Sequence, residues 1–236
     1  MRSLYQEPEQ SELVGFGALE FHDVFRIYRS SAAETVALRG LDLRVEPREL
    51  VALYGPSGSG KSTALHLAAA LDEPSAGEVR AFGSSLTRLG DAELASYRAR
   101  TIAIVFQSGN LWTDLSAREN VALGLRLAGR RRKVTEAVDR ALDAFDLQRR
   151  EDQPAGSLSG GEQQRVAIAA AAAREAPLVL ADEPTAELDA GNEQLVLRSL
   201  QRLRDEFGST VVVVTHSPRV AEAADRVIEI RDGVAT

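Results

Sequence analysis

Residues 55–62 read Gly55-Pro56-Ser57-Gly58-Ser59-Gly60-Lys61-Ser62, and they join an apolar run, 50–54, to a helical run, 63–71. This order of strand, glycine-rich loop and helix constrains the fold more than any other feature of the chain. It fits the pattern G-x-x-x-x-G-K-[ST], and the flanking strand and helix are the context in which that pattern means phosphate binding and not a flexible linker. Glycines at 55, 58 and 60 let the backbone turn tightly, so that successive N–H groups converge on one anion. A helix starting near Lys61 adds the positive end of its dipole. Lys61 has the reach and charge for the β- and γ-phosphates of a nucleoside triphosphate, and the Ser62 hydroxyl suits Mg²⁺.

The rest of the chain supplies a frame for that loop. Residues 19–28 and 41–45 alternate apolar with polar side chains, as half-buried strands do. Further strands are predicted at 78–82, 102–106, 178–181, 211–214 and 227–230, and helices at 91–100, 191–207 and 219–224, the last with Ser217 as N-cap and Pro218 at its first position. Continuous valine- and leucine-rich strands alternating with helices indicate a parallel sheet covered on both faces. The early strands suggest an antiparallel sheet at one edge. From 116 to 174 only helical periodicity is present: a capping box of Ser116 and Glu119 opens a helix at 117–128, and others follow at 134–145 and 161–174. This stretch, about 108–174, reads as an insertion into a single domain at 18–236, preceded by a polar tail at 1–17 that carries Glu7, Glu9 and Glu12.

Composition narrows the partners. A formal net charge of −7 gives no general attraction to nucleic acid, and the basic cluster Arg130-Arg131-Arg132-Lys133 reads as a solvated helix start. Cysteine is absent, which excludes disulfides and thiolate metal sites. No apolar run is long enough to span a bilayer, so the chain reads as soluble and cytoplasmic.

Residues 178–183, Leu-Val-Leu-Ala-Asp-Glu, place two carboxylates at the end of an apolar strand. Alone, such a pair reads as a solvated edge. Ligands of open α/β sheets, however, bind at the carboxyl ends of strands, where the glycine loop also lies. Asp182 then suits Mg²⁺, and Glu183 suits acceptance of a proton from the water that attacks the γ-phosphate. Gln107 and His216 also follow strand-like runs, and Glu187 and Asp189 lie in the loop after Glu183. A histidine after a buried strand is ordinarily a satisfied surface residue; several polar groups beside one phosphate loop argue for a shared site.

Residues 158–165, Leu158-Ser159-Gly160-Gly161-Glu162-Gln163-Gln164-Arg165, resemble the signature motif of the ATP-binding-cassette (ABC) ATPases, and every other motif of that family follows in order between about 19 and 234. The resemblance implies a P-loop NTPase fold with a RecA-like parallel core, an edge antiparallel β-subdomain and an inserted α-helical subdomain. It implies ATP and Mg²⁺ as ligands, and an ATPase whose signature residues Ser159, Gly160, Gly161 and Glu162 face the γ-phosphate held by a second copy or a homologous subunit. Ser159 and two glycines before a helix make a second anion-binding N-terminus, which agrees. By position, Tyr28 matches the aromatic that stacks on adenine (a strand-end aromatic is the plainer alternative), Thr63 the α-phosphate contact, Gln107 the Mg²⁺ ligand that senses the membrane partner, Asp189 the loop that crosses the dimer interface, and His216 the switch histidine. Ser62, Gln107 and Asp182 are the implied metal ligands, with Lys61, Glu183 and His216 catalytic.

Two departures stand out. The family commonly has Ser-Ala where this chain has Ala186-Glu187, and an arginine where it has Ala170. Neither removes a phosphate or metal ligand. Residues 86–121 look most like the small ATPases of lipoprotein-release, macrolide-efflux and cell-division systems, which implies coupling to a separate transmembrane permease or mechanotransmission partner, with the cassette on the inner face of the membrane. The short stretch after the last strand leaves no room for the regulatory domain of many sugar importers. A soluble DNA-repair or chromosome ATPase of the same superfamily is the alternative, but roughly 120 residues between Lys61 and Asp182 fit a compact domain and not a coiled coil. A non-hydrolysing scaffold would lack Glu183 or the signature residues, and both are present.

Overall fold

A computed structural model describes residues 16–29 and 34–236. The expected tail at 1–17 lies outside these residues except for Phe16 and Gly17. The chain packs as two compact units, one running to Arg98 and resuming at Val212–Thr236, the other Ala99–Val211. It passes between them inside regular structure, within helix α2 (Asp91–Arg100) and within strand β8 (Thr210–Thr215).

In the first unit, β1 (Leu19–Arg29), β2 (Glu34–Val45), β4 (Ala76–Ala81) and β5 (Ser84–Ser85) form the antiparallel sheet, in the order β2-β1-β4-β5. Leu19, Phe21 and Val24 of β1 and Leu41, Leu43 and Val45 of β2 are buried on one face. Strict alternation would turn Val24 outward; a register shift between Phe21 and Val24, with Asp23 at φ 49°, turns it back in. β2 begins well before the predicted residue 41, because Gly40 (φ 73°) is an inserted bulge residue and not a strand end. A β-carbon there would lie 2.9 Å from Asp23 Oδ1.

The phosphate-loop strand, β3 (Leu50–Tyr54), pairs in parallel with β9 (Arg226–Arg231), and β10 (Val234–Ala235) folds back antiparallel on β9. β3 and β8 are buried almost throughout, as continuous apolar runs in a covered parallel sheet must be. Helix α1 (Lys61–Ala68) starts at the lysine and stops three residues short of prediction. Ala70 turns into the left-handed region (φ 51°), and the exposed carbonyls are taken up: the fully buried Tyr97 donates its hydroxyl to Ala68 O (2.7 Å), and Arg98 donates to Ala70 O (2.8 Å). α7 (Pro218–Glu222) has Ser217 at the N-cap position and Pro218 at N1, as predicted, but the serine side chain makes no capping hydrogen bond.

In the second unit, β6 (Ile102–Val105) pairs in parallel with β7 (Leu178–Asp182). The capping box of Ser116 and Glu119 is present at the start of α3 (Ala117–Leu127). α3, α4 (Val134–Ala144) and α5 (Gly160–Ala173) make up the helical stretch, and α6 (Ala190–Asp205) follows β7. The alanines of α5 are nearly all buried, and small side chains let α3 come close: a β-carbon on Gly124 would meet Ala170 Cβ at 3.6 Å. The basic cluster is solvent-exposed, with Arg130 paired to Glu175 (2.7 Å). Among the described residues no helix is long and apolar enough to cross a membrane.

Candidate functional site

The loop between β3 and α1 is a backbone cradle with no room for a side chain at Gly55 or Gly60. A β-carbon on Gly55 would sit 2.2 Å from Ile230 O, and one on Gly60 (φ 102°) 2.5 Å from Ala37 O. Gly58 (φ 80°) faces open space, with nothing within 4 Å of its would-be β-carbon. The last strands hold the loop from behind, since Gly233 N–H donates to Ser59 O (3.0 Å) and Gly233 O accepts from Arg39 N–H (2.9 Å). Lys61 is buried, and its ammonium donates to Gly55 O (2.8 Å) and Pro56 O (2.7 Å), so its charge lies along the loop. The buried Ser59 hydroxyl has no hydrogen-bond partner.

The start of α1 differs from those of α3, α5 and α6, and from that of α4, which also lacks a side-chain cap but has Glu136 in its first turn. Side chains cap α3, α5 and α6: Ser116, Ser159 and Asp189 each accept from N–H groups of the first turn, and each of these helices has a glutamate there. α1 has Gly60 at its N-cap, no side-chain cap and no acid in its first turn. An uncapped N-terminus, a lysine and a glycine-rich cradle together fit a multiply charged oxyanion.

Tyr28 and His216 also belong to the first unit. Tyr28 is 39% exposed near the end of β1, its hydroxyl donating to Asp72 Oδ2 (2.8 Å) while the Arg26 guanidinium carbon lies 4.5 Å from its ring centroid. His216 is exposed directly after β8.

The second unit carries the other expected residues. Parallel pairing of Val105 with Ala181 brings Gln107 and Asp182 to the same end of β6 and β7. Glu183 follows with φ 45°, a strained left-handed conformation for a residue with a side chain, of the kind that concentrates at functional sites. The backbone carrying Gln107 is clamped. Asn110 bonds both N–H and O of Phe106 (2.8 and 2.7 Å), and Gln164, buried in the alanine-rich α5, donates to Phe106 O (3.0 Å) and Gln107 O (2.6 Å). The Gln107 side chain donates to Glu187 Oε1 (2.9 Å), so the departure Ala186-Glu187 has a partner. Asn110 and Gln164 are residues that sequence reasoning missed; a buried glutamine on an alanine-rich helix was the available signal.

At the signature motif, Ser159 and Glu162 form a second capping box. Ser159 N–H and Oγ–H both donate to Glu162 Oε2 (2.9 Å each), and Arg150 pairs with Glu162 Oε1 (2.9 Å). Partial burial would raise the Glu162 carboxyl, but these donors outweigh it and hold it below the usual range. The glycines have a packing role as well. A β-carbon on Gly161 would lie 2.5 Å from Asn192 Oδ1, and one on Gly160 3.3 Å from Leu188. Asn192 and Gly191 are themselves bound by Asp189, whose carboxylate caps α6 and is held low chiefly by the Asn192 N–H and amide. The signature residues and the loop after Glu183 are thus one packed assembly. Among the described residues no three His, Cys, Asp or Glu side chains cluster as a metal site. The expected donor set of one carboxylate, a hydroxyl and an amide still suits Mg²⁺, which normally completes its shell with phosphate oxygens and water.

The ABC transporter family matches residues 38–186. Macrolide export ATP-binding/permease protein MacB of Syntrophobacter fumaroxidans is 42% identical over 219 residues, which are 92% of this chain and 31% of that protein. Lipoprotein-releasing system ATP-binding protein LolD 2 of Caulobacter vibrioides is 42% identical over 209 residues, 88% of this chain and 92% of that one. The chain therefore spans under a third of the MacB relative and most of the LolD relative. The dimeric, post-hydrolysis structure of the ATP-binding cassette MJ0796 with ADP and Pi superposes with a TM-score of 0.83 at 37% identity, covering 92% of this chain and 96% of that chain.

Proposed function

The chain belongs to the ABC transporter family as an ATP-hydrolysing cassette, and from that premise we propose that it drives a separately encoded membrane permease as one half of a head-to-tail dimer. The observation that carries this reading is the uncapped, acid-free start of α1 behind a loop that admits no side chain at Gly55 or Gly60. Lys61 and the loop N–H groups bind the β- and γ-phosphates, with Pro56, Ser57, Ser59, Ser62 and Thr63 completing the contact, and Tyr28 stacks on the adenine. Ser62 and Asp182, joined by Gln107, hold Mg²⁺. When bound, that ion neutralises charge developing on the phosphate oxygens. Glu183 accepts the proton of the attacking water, and His216 donates a hydrogen bond to the γ-phosphate.

Ser159, Gly160 and Gly161 of a second copy close over the γ-phosphate, with Glu162 and Asp189 shaping the contact. In doing so the Ser159 hydroxyl turns away from Glu162. The dimeric state of the MJ0796 cassette supports this arrangement. Closure on ATP and reopening after hydrolysis are the mechanical output, delivered near Gln107. The relatives' names, a lipoprotein-releasing system and a macrolide export permease, support a membrane-bound machine with the cassette on its inner face.

Glu183→Gln tests the reading. It should abolish turnover, keep nucleotide binding, and elute as a dimer with Mg·ATP in size-exclusion chromatography. A variant that stays monomeric at high concentration overturns the sandwich.

A further inference from the structure

Tyr28 does not stand alone at the end of β1. Its hydroxyl donates to Asp72 Oδ2 at 2.8 Å. Arg26, two residues earlier and therefore on the same face of the strand, lays its guanidinium against the ring at 4.5 Å from the centroid. The same guanidinium forks onto Asp72, Nε to Oδ2 at 2.9 Å and Nη2 to Oδ1 at 2.6 Å, and Oδ1 also accepts from Glu73 N–H at 2.8 Å. The Arg26 and Asp72 side chains are 23% and 21% exposed, against 39% for Tyr28. Arginine and aspartate are thus largely covered, and the partly exposed ring has the guanidinium against one of its faces.

We infer that Arg26 and Asp72 are positioning residues for base recognition, fixing Tyr28 so that the ring face turned away from the guanidinium receives the purine of the bound nucleotide. The inference rests on the reading of Tyr28 as the adenine platform. Three constraints support it. The bond to Asp72 fixes where the phenol oxygen lies, and Arg26 fixes the plane of the ring, so stacking spends little conformational freedom on ordering the side chain. The cation behind the ring draws electron density from the phenol, which suits its outer face to an electron-rich purine. Finally, Asp72 lies just past the end of α1, the helix whose first residues close the phosphate loop. One rigid helix of eight residues, roughly 12 Å long, therefore sets the distance between the base platform and the phosphate cradle. The carboxyl is held in its charged form: partial burial would raise it, but Tyr28, the Glu73 N–H and Arg26 outweigh that and keep it below its usual range.

A purely structural role, tying β1 to the turn after α1, makes a different prediction, and a ligand without a base separates the two. Affinities for Mg·ATP and for Mg·tripolyphosphate are measured by calorimetry on the full chain for Asp72→Asn, Arg26→Gln, Tyr28→Phe and Tyr28→Ala, with melting curves for each. We expect Asp72→Asn and Arg26→Gln to weaken ATP by about three- to tenfold and leave tripolyphosphate within about twofold, with Tyr28→Ala at or beyond the upper limit. Tyr28→Phe keeps the ring and the cation and loses only the hydroxyl bond, so a loss smaller than that of Asp72→Asn is expected even if another variant folds poorly. Equal losses for both ligands overturn the inference in favour of the structural role. An ATP loss in Tyr28→Ala with none in Asp72→Asn and Arg26→Gln overturns the inference and leaves the stacking reading standing. No loss in Tyr28→Ala removes the stacking reading itself.

Discussion

Replacing Gly55 with alanine adds one methyl group to the phosphate loop, and its cost can be worked from the packing. The new β-carbon would lie 2.2 Å from Ile230 O and 3.1 Å from Ser59 Oγ. Ordinary contact begins near 3.4 Å, so loop and strand β9 must separate by more than an ångström. The first obstacle is a backbone carbonyl in a paired strand, which has no rotamer to escape into. Overpacking of this kind costs about 3 kcal/mol, the upper part of the usual range. For a chain of this size that lowers the melting temperature by roughly 6–12 °C. Gly58→Ala is the matched control. Its methyl meets nothing within 4 Å, but φ is 80°, so only backbone strain of about 1 kcal/mol applies, or roughly 2–4 °C. Nucleotide affinity should follow the same order, because displacing the loop misaims the N–H groups at 57–60. Differential scanning calorimetry and titration with a fluorescent ATP analogue read both quantities. Equal melting points for the two variants, with affinity intact in Gly55→Ala, would refute the contact argument.

Ser159→Ala removes the cap and capping box of α5, costing about 1 kcal/mol of stability, while ATP-driven association of the Glu183→Gln background should fall far more; equal effects on melting and dimerisation would count against a role at the interface. Glu187→Ala frees the Gln107 amide from its exposed partner, so stability should change by less than about 0.5 kcal/mol, while the Mg²⁺ concentration for half-maximal ATPase falls; an unchanged Mg²⁺ dependence would show that the bond does not compete. On the acid side, Asp72 and Glu162 are both held below their ordinary values of 3.8 for the aspartate and 4.5 for the glutamate. Their contribution is therefore fully present above about pH 5 and is lost as pH falls through the lowered folded values, so melting points measured from pH 7 to pH 3 should be level at first and drop below about pH 4.5. A melting point constant to pH 3 would contradict it.

Features that depend on near neighbours were the legible ones. The Ser116–Glu119 capping box, the span of β3 and the start of α2 follow from residues a few positions apart, and the structure has them where local chemistry puts them. Boundaries slipped where a distant group decided them. α1 ends early because Tyr97 and Arg98 collect its carbonyls, and β2 begins early because Gly40 fits a bulge opposite Val24 and Phe25. In the site, the residue types of the glycine loop disclosed the chemistry, but not the reason Gly55 and Gly60 tolerate no side chain, which lies in Ile230 and Ala37. The bond between Gln107 and Glu187 spans 80 positions, and the grip of Asp72 on Tyr28 spans 44; neither leaves a local pattern.

The support behind the phosphate loop has a bearing on how the protein is made. Ile230 O closes over Gly55, the Gly233 N–H holds Ser59, and Gly233 Cα lies 3.5 Å from where a Gly60 β-carbon would be. β9 and the turn after it, which provide these contacts, are among the last parts of the described chain to leave the ribosome. A nascent chain halted before Arg226 would carry every residue of the nucleotide motif and still lack the backing that shapes it. ATP binding should therefore await the emergence of β9 and the turn after it, sparing chains that lack them from engaging nucleotide or a partner before they can be reset. The motif is written before the strands that set it.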